Sequence, residues 1–276
     1  PAFLVNRKAE IPKVIVSWKY NAWGDKYPHD LDQEIPGLIG RSLNLPVYYP
    51  GIVMEGGAVE FNGNGTLLTT TRCLLHENRN PHLDQQKIEP ILVYVVENVY
   101  RNSSLDDFRE QYQKAFYDSV FTKRPDSVRW ESARSAFGAE LPRKKKTLVY
   151  VNTDWCNACK VMKRTSFNDS LYTDYVKEKF NLVDFNADMT DSLPYKGKLL
   201  GNPRNAQAPF HQLALLLSRN GFALPSLIVL DEYMDVIDAI PSYVPPTFMN
   251  DILHFYGDGI NKTKTWQKYM DEKEHK

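Results

Sequence analysis

The sequence predicts an α/β protein in two parts, the second with the element order β-α-β-α-β-β-α. Three observations carry that prediction. A short apolar and aromatic run at residues 148–151 enters a two-cysteine turn, Asp154-Trp-Cys-Asn-Ala-Cys-Lys160, from which a helix starts. Two β-rich runs flank Asn62-Gly-Asn-Gly65, a hairpin signal because Gly and Asn tolerate positive φ. Apolar residues recur at helical spacing between the strand-like runs, for instance at Phe108, Tyr112, Ala115 and Phe116.

Bulk properties set the limits. A chain of 276 residues suggests two domains, and 42% hydrophobic residues suffice for packed cores. Lys plus Arg and Asp plus Glu both number 34, which disfavours a polyanion or an acidic membrane surface as a global partner. Three cysteines are too few for a disulfide framework. No apolar run approaches the roughly 20 residues of a membrane helix. The chain opens Pro-Ala-Phe-Leu-Val-Asn-Arg-Lys, without an initiator Met or a signal-like apolar core, as after removal of a leader or in a fragment.

Three segments follow: 1–95, a connecting strand and helix region at 96–126, and 127–276. In the first, residues 13–18 alternate into a strand, and Tyr20-Asn-Ala-Trp-Gly-Asp-Lys-Tyr-Pro28 leaves it as an aromatic loop. Residues 30–43 have helical spacing, with Pro36 near the start. Cys73, beside Leu74 and Leu75, is expected to be a small buried side chain. His29, His76 and His82 lie in polar loop contexts and are expected to be solvated.

Three motifs in this segment occur in a defined order: Tyr20-Asn-Ala-Trp-Gly-Asp-Lys-Tyr27, Val53-Met-Glu-Gly-Gly-Ala-Val-Glu-Phe-Asn-Gly-Asn-Gly-Thr-Leu-Leu-Thr-Thr70, and Cys73-Leu-Leu-His-Glu-Asn-Arg-Asn-Pro-His-Leu83. Residues 14–92 thereby resemble the agmatine deiminase family. The resemblance implies a partial αβ-propeller and a relation to enzymes that hydrolyse a guanidinium with a cysteine nucleophile, a histidine and carboxylates. Of the residues tied to that site, Glu55 alone matches. Asp25 replaces the usual glycine, and Cys73 is not at the nucleophile position. Glu55 is therefore expected to be a hydrogen-bonded residue at the hairpin entry, in a segment incomplete as a hydrolase. The uncovered sheet edges of a partial propeller are a candidate partner surface.

In the connecting region, residues 93–100 are strand-like, and Ser104 caps a helix carrying Asp106 and Asp107 in its first turn. A further helix is expected over 127–137, stopped by Gly138. The cations of Arg143-Lys-Lys-Lys146 are expected to form a solvated loop rather than a nucleic-acid patch.

Cys156 and Cys159 fall at a strand-to-helix junction, where unpaired N–H groups and the helix dipole favour an anion. The first thiol is therefore expected to ionise more readily than a free one, and the second can resolve a mixed disulfide. Residues 160–179 are expected to be helical, with Val161, Met162, Leu171, Tyr175 and Val176 facing the core. Residues 181–186 form a strand and 187–208 an insertion. A helix at 210–219 bears Leu213, Leu215, Leu216 and Leu217 and ends at Asn220-Gly221. Strands at 222–230 and 234–239 and a closing helix at 247–256 complete the order.

That order, Asp154-Trp-Cys-Asn-Ala-Cys-Lys160, and Ala223-Leu-Pro-Ser226 together resemble the thioredoxin superfamily over residues 128–256. The resemblance implies that Cys156 attacks and Cys159 resolves, that Trp155 flanks the site, and that Leu224 and a cis Pro225 bind substrate. Two departures stand out. Tyr150 occupies the position where many thioredoxins have a buried acid, and Asn157-Ala158 replaces Gly-Pro. Structural zinc needs four ligands, whereas the motif supplies two cysteines, with His211 standing alone, so no metal and no cofactor is expected.

The function expected is thiol–disulfide exchange with a protein or small-molecule substrate, and no nucleic-acid or membrane partner. Two alternatives remain: a deiminase completed by other chains, and a non-catalytic interaction module. The expected location is the cytoplasm, with a bacterial periplasm as the alternative.

Overall fold

The computed structural model describes residues 2–5, 13–61, 67–205, 209–219 and 221–274. The chain divides into two compact units, Pro1–Val96 and Glu97–Lys276.

In the first unit, β1 (Ala2–Val5) pairs antiparallel with β2 (Lys13–Val16), and β2 pairs parallel with β3 (Val47–Tyr48). Ile15 and Val16 of the central strand are fully buried. The aromatic loop after β2 contains one left-handed turn, Ala22–Asp25, with φ of 58° at Trp23 and 92° at Gly24. Gly24 suits this turn: L side chains rarely adopt its φ, and an added Cβ would lie 2.4 Å from Asn78 Nδ2, so that side chain would have to shift. Helix α1 (Ile35–Leu43) carries Pro36 in its first turn, where no intrahelical N–H is needed, and ends at left-handed Asn44. Strands β4 (Val59–Phe61) and β5 (Leu67–Thr69) pair antiparallel, while the expected turn at 62–65 lies outside the described residues.

Two expectations in this unit need correction. Cys73 lies in the one-turn helix α2 (Thr71–Leu74) and is only half-buried, because Leu74 takes the inward position. The strand expected at 93–100 is instead the last turn of helix α3 (Gln85–Val96) followed by a turn and a 3₁₀ turn that starts at Val99. Ile88, Ile91 and Val95 are buried at i, i+3 and i+7, so the burial pattern upstream of the β-branched run overrides its strand propensity.

The second unit begins with Glu97 and a single 3₁₀ turn, Val99–Arg101. Helix α4 (Leu105–Phe116) follows, capped by the Ser104 hydroxyl accepting from Asp107 N at 3.1 Å. Phe108 is fully buried and meets Tyr243 edge-on with ring centroids 5.2 Å apart. The helix expected at 127–137 is split into strand β6 (Trp130–Ser132) and helix α5 (Ala133–Phe137), with Ser132 as the cap and Gly138 at the end. Parallel pairing of Trp130 with Leu182 draws the first half into the sheet, and the Trp130 ring packs on Tyr150 and Phe167.

The sheet has the order β12-β11-β7-β8-β6, where β7 is Lys146–Asn152, β8 Phe180–Asn186, β11 Ser226–Leu230 and β12 Val236–Pro241. β6 and β7 run parallel to β8, whereas β11 is antiparallel to both β7 and β12. Helices α6 (Asn157–Arg164) and α7 (Thr173–Lys179) link β7 to β8. The insertion contains hairpin β9 (Leu193–Tyr195) and β10 (Lys198–Leu200), followed by α8 (Gln212–Leu217); Asn220, expected to help end this helix, lies outside the described residues. Helices α9 (Pro246–Gly257) and α10 (Trp266–Glu274) close the chain. Val149, Val151, Val183, Phe185, Ile228 and Leu230 form one apolar face of the sheet with Leu213 and Leu217.

The continuous helix expected at 160–179 breaks after Arg164, where buried Phe167 and Tyr172 turn inward, and Leu171 is left 85% exposed rather than in the core. Leu216, 54% exposed, faces out from α8. Arg143 is not a solvated cation: its Nη2 pairs with Glu131 Oε2 at 2.6 Å, and its N–H donates to Glu232 O at 2.7 Å. Among the described residues no helix is long and apolar enough to cross a membrane.

Candidate functional site

The cysteine turn follows directly from the end of β7. Thr153 O accepts from Cys156 N at 3.3 Å, and Cys156 is the N-cap of α6, its Sγ accepting from Cys159 N at 3.1 Å. Cys156 and Cys159 are joined by a disulfide with Cα atoms 5.2 Å apart. They are 0% and 2% exposed, so the bond is covered.

The register of the sheet brings the proline segment to the same end of the fold. Ser226 pairs with Val151, so Pro225 precedes β11 at the edge where β7 passes into the cysteine turn. The Leu224–Pro225 bond is cis. Pro225 is buried and accepts at its carbonyl from Ser242 N at 2.9 Å; Leu224 is partly buried against the apolar core. Trp155 is half exposed, and its Nε1–H donates to Asp188 Oδ2 at 2.8 Å. Tyr150, under the turn, donates its hydroxyl to Cys159 O at 2.6 Å. Burial, with the charges of Asp184 and Glu97, pushes its phenol well above its ordinary range. It therefore stays protonated and is a donor here, not a base. A groove beside it is lined by Cys159, Tyr150, Asn152, Lys163 and Asp184. Within it, Lys163 Nζ pairs with Asp184 Oδ2 at 2.5 Å.

One residue of the site has no signal in the cysteine motif. Glu97 accepts from Asn157 N at 3.0 Å and from Ala158 N at 2.7 Å, and its Oε2 lies 3.4 Å from Cys156 Sγ. The anion position at the start of α6, which sequence reasoning assigns to the Cys156 thiolate, is thus held by a carboxylate with two of the N–H groups. Cys156 Sγ keeps the third, from Cys159. Burial pushes the Glu97 carboxyl up to about 7, against the lowering effect of those two hydrogen bonds and of Lys160. The only local hint in the sequence is an acid ending the apolar run 93–96, sixty residues before the motif it serves.

Glu55, in the first unit, is 3% exposed. Its Oε1 accepts from Asn21 N at 3.0 Å and Trp23 N at 2.9 Å, and its Oε2 pairs with Arg79 Nη1 at 2.5 Å. The carboxylate holds the left-handed turn in place. His76 and His82 are exposed, while His29 is partly buried with Nε2 3.7 Å from Asp25 Oδ1.

Residues 1–99 match the family model described as Porphyromonas-type peptidyl-arginine deiminase, and residues 137–257 match that of the thioredoxin-like domain. Agmatine deiminase of Pseudomonas fluorescens is 43% identical over 98 residues, covering 33% of this chain and 26% of that protein. Agmatine deiminase of Pseudomonas syringae is 41% identical with the same coverage. The chain thus spans about a quarter of the length of the curated relatives it matches. A thioredoxin-fold protein from Helicobacter pylori aligns over 58% of this chain and 92% of its own, at 18% identity and a TM-score of 0.37. Two family resemblances therefore meet in one chain: a partial deiminase-like region at 1–99 and a thioredoxin-like domain at 137–257.

Proposed function

We propose that the chain is a thiol–disulfide oxidoreductase whose centre is Cys156 and Cys159. The observation that carries this reading is the Cys156–Cys159 disulfide at the start of α6, with Cys159 N–H directed at Cys156 Sγ. In the dithiol form, the Cys156 thiolate attacks one sulfur of a substrate disulfide, forming a mixed disulfide and releasing one substrate thiolate. Cys159, as thiolate, then attacks Cys156 Sγ, restores the intramolecular bond and releases the second. Trp155 and the Leu224–Pro225 segment are assigned to substrate contact, on their place at the same end of the sheet as the turn. Because the disulfide is covered, exchange requires the surrounding chain to open.

The first unit is assigned a structural role. The Glu55 carboxylate is engaged by Asn21 N–H, Trp23 N–H and the Arg79 guanidinium, which supports a carboxylate that fixes the left-handed turn. Deiminase chemistry would need groups from elsewhere.

The test is titration of the thiols against a glutathione redox buffer, followed by alkylation and mass spectrometry of each cysteine, alongside dithiothreitol-driven reduction of insulin. A cooperative two-electron transition that Cys156→Ser abolishes, with Cys159→Ser accumulating a mixed disulfide, is the expected result. Thiols that do not re-form the bond, and insulin reduction no faster than with dithiothreitol alone, would overturn the reading.

A further inference from the structure

Thiol exchange moves protons as well as electrons, and the position under the motif where a base is expected holds Tyr150, a donor to Cys159 O. An acid does stand beside the reacting sulfur: Glu97, with Oε2 3.4 Å from Cys156 Sγ. It lies outside the thioredoxin-like match at 137–257. Its segment is tied to the end of β12: the Ser242 hydroxyl donates to Asn98 O at 2.8 Å, and Asn102 Nδ2 donates to Pro241 O at 2.9 Å. The two N–H groups of α6 orient the carboxylate, so it meets the sulfur in a defined geometry.

We propose that Glu97 is a catalytic acid–base of this centre, taking the proton of the Cys156 thiol as that sulfur attacks and returning it to the departing sulfur of the substrate. The proposal rests on the reading of Cys156 and Cys159 as an exchange pair. Its steps balance with a substrate disulfide as the oxidant. The Cys156 S–H passes its proton to the Glu97 carboxylate. The resulting thiolate attacks R–S–S–R′, forming Cys156–S–S–R and releasing R′S⁻, which the Glu97 carboxyl protonates. Cys159 then loses its proton and attacks Cys156 Sγ, closing the observed disulfide. The departing RS⁻ takes up that proton.

Electrostatics gives the arrangement a signature. An ionised carboxylate 3.4 Å from the sulfur disfavours the thiolate, and the thiolate in turn disfavours the carboxylate. The reduced pair should therefore titrate in two coupled steps, with one negative charge shared over a middle range. The carboxyl, raised to about 7 by burial when the disulfide is closed, lies where proton transfer at neutral pH is possible in both directions. The charged or titratable groups facing it are Lys160 on α6, Tyr150 on β7 and Cys156 itself.

The test compares the full chain with Glu97→Gln and Glu97→Asp, measuring thiolate absorbance and iodoacetamide alkylation of reduced Cys156 from pH 4 to 10. Glu97→Gln removes the nearby charge and frees an N–H for the sulfur. It is expected to lower the apparent pKa of Cys156 enough for at least a tenfold gain in alkylation rate at acidic pH. It should also merge the two steps into one and lower the rate of insulin reduction. Glu97→Asp, which keeps the charge, is expected to restore the second step. Superimposable titrations of wild type and Glu97→Gln, with the glutathione transition intact, would remove Glu97 from the mechanism while leaving the exchange reading standing. Absence of that transition in the wild type would instead remove the exchange reading itself.

Discussion

The Tyr150 hydroxyl donates a 2.6 Å hydrogen bond to the carbonyl oxygen of Cys159, so the buried ring ties the centre of the sheet to the first turn of the helix that Cys156 caps and Cys159 enters. Trp130 and Phe167 pack against that ring with centroids 5.7 and 5.2 Å away. Tyr150→Phe keeps the packing and deletes one neutral hydrogen bond. It is expected to lower stability by about 1 kcal/mol. Chemical denaturation followed by circular dichroism checks this. A cost near zero would mean that the hydroxyl merely fills space.

The Glu97 carboxyl makes stability depend on pH with a definite sign. Its value in the folded, disulfide form is about 7 against an ordinary 4.5, so the folded state binds more protons than the unfolded state between those values. Stability should therefore fall as pH rises from 4.5 to 7, by at most about 3 kcal/mol. Glu97→Gln should flatten that decline, and thermal unfolding of the oxidised protein at half-unit pH steps would display it.

His211 acts in the opposite direction. Its Nδ1 accepts from Leu213 N at 3.1 Å, so its Nε2 carries the proton and donates to Asp191 O at 2.9 Å. Burial lowers its pKa from the ordinary 6.5, and the folded state then binds fewer protons than the unfolded state just below that value. Its contribution is expected to be complete above pH 6.5 and to fade as pH falls through the lowered value. An NMR titration of the imidazole that tracked a free histidine would contradict this.

Glu55 and Arg79 form a pair with side-chain exposures of 0% and 15%. Removing one partner strands a buried charge, so Arg79→Met is expected to cost about 3 kcal/mol or more. The double change Arg79→Met with Glu55→Gln should cost less than the sum of the single changes. Hydrogen exchange measured by mass spectrometry on the full chain should show lost protection in residues 13–61. Equal protection in all variants would mean that the pair contributes little.

The bonds from Ser242 to Asn98 and from Asn102 to Pro241 hold the segment that places Glu97 against the sulfur. Loss of both, in Asn102→Ala with Ser242→Ala, removes about 2 kcal/mol from the closed arrangement. Reduction of the disulfide by dithiothreitol should then speed up, by about thirtyfold at most, by stopped-flow or timed alkylation. An unchanged rate would show that some other part of the chain limits access.

Much of both units was legible from local pattern. The run into Cys156, strand β8, the Ser104 cap and the stop at Gly138 are each specified by a few neighbouring residues whose chemistry acts within one turn or one strand. That Glu55 is hydrogen-bonded agrees with its expected place at the hairpin entry, but its partners Asn21, Trp23 and Arg79 lie 24 to 34 residues away and were set by the fold rather than by local pattern. Residues 93–100 depart from the expected strand because β-branched side chains favour a strand only where a sheet edge is available to them, and here residues 93–96 continue the helix of buried Ile88 and Ile91. Residues 127–137 divide between strand and helix because β8 offers Trp130 a partner that no local signal shows.

What the sequence by itself determined is therefore the local chemistry: a two-cysteine turn at a helix start, a proline at the entry to a strand, and two family resemblances carried by contiguous motifs, one of which implied that this proline is cis. Tertiary structure alone decided which groups surround that chemistry. It set Glu97 on Cys156, turned Tyr150 into a donor to Cys159, and covered both sulfurs. The physical reason is range. Capping, turn and strand preferences act over a few residues, whereas burial and charge–charge contacts act through space between residues that lie about sixty positions apart in the chain.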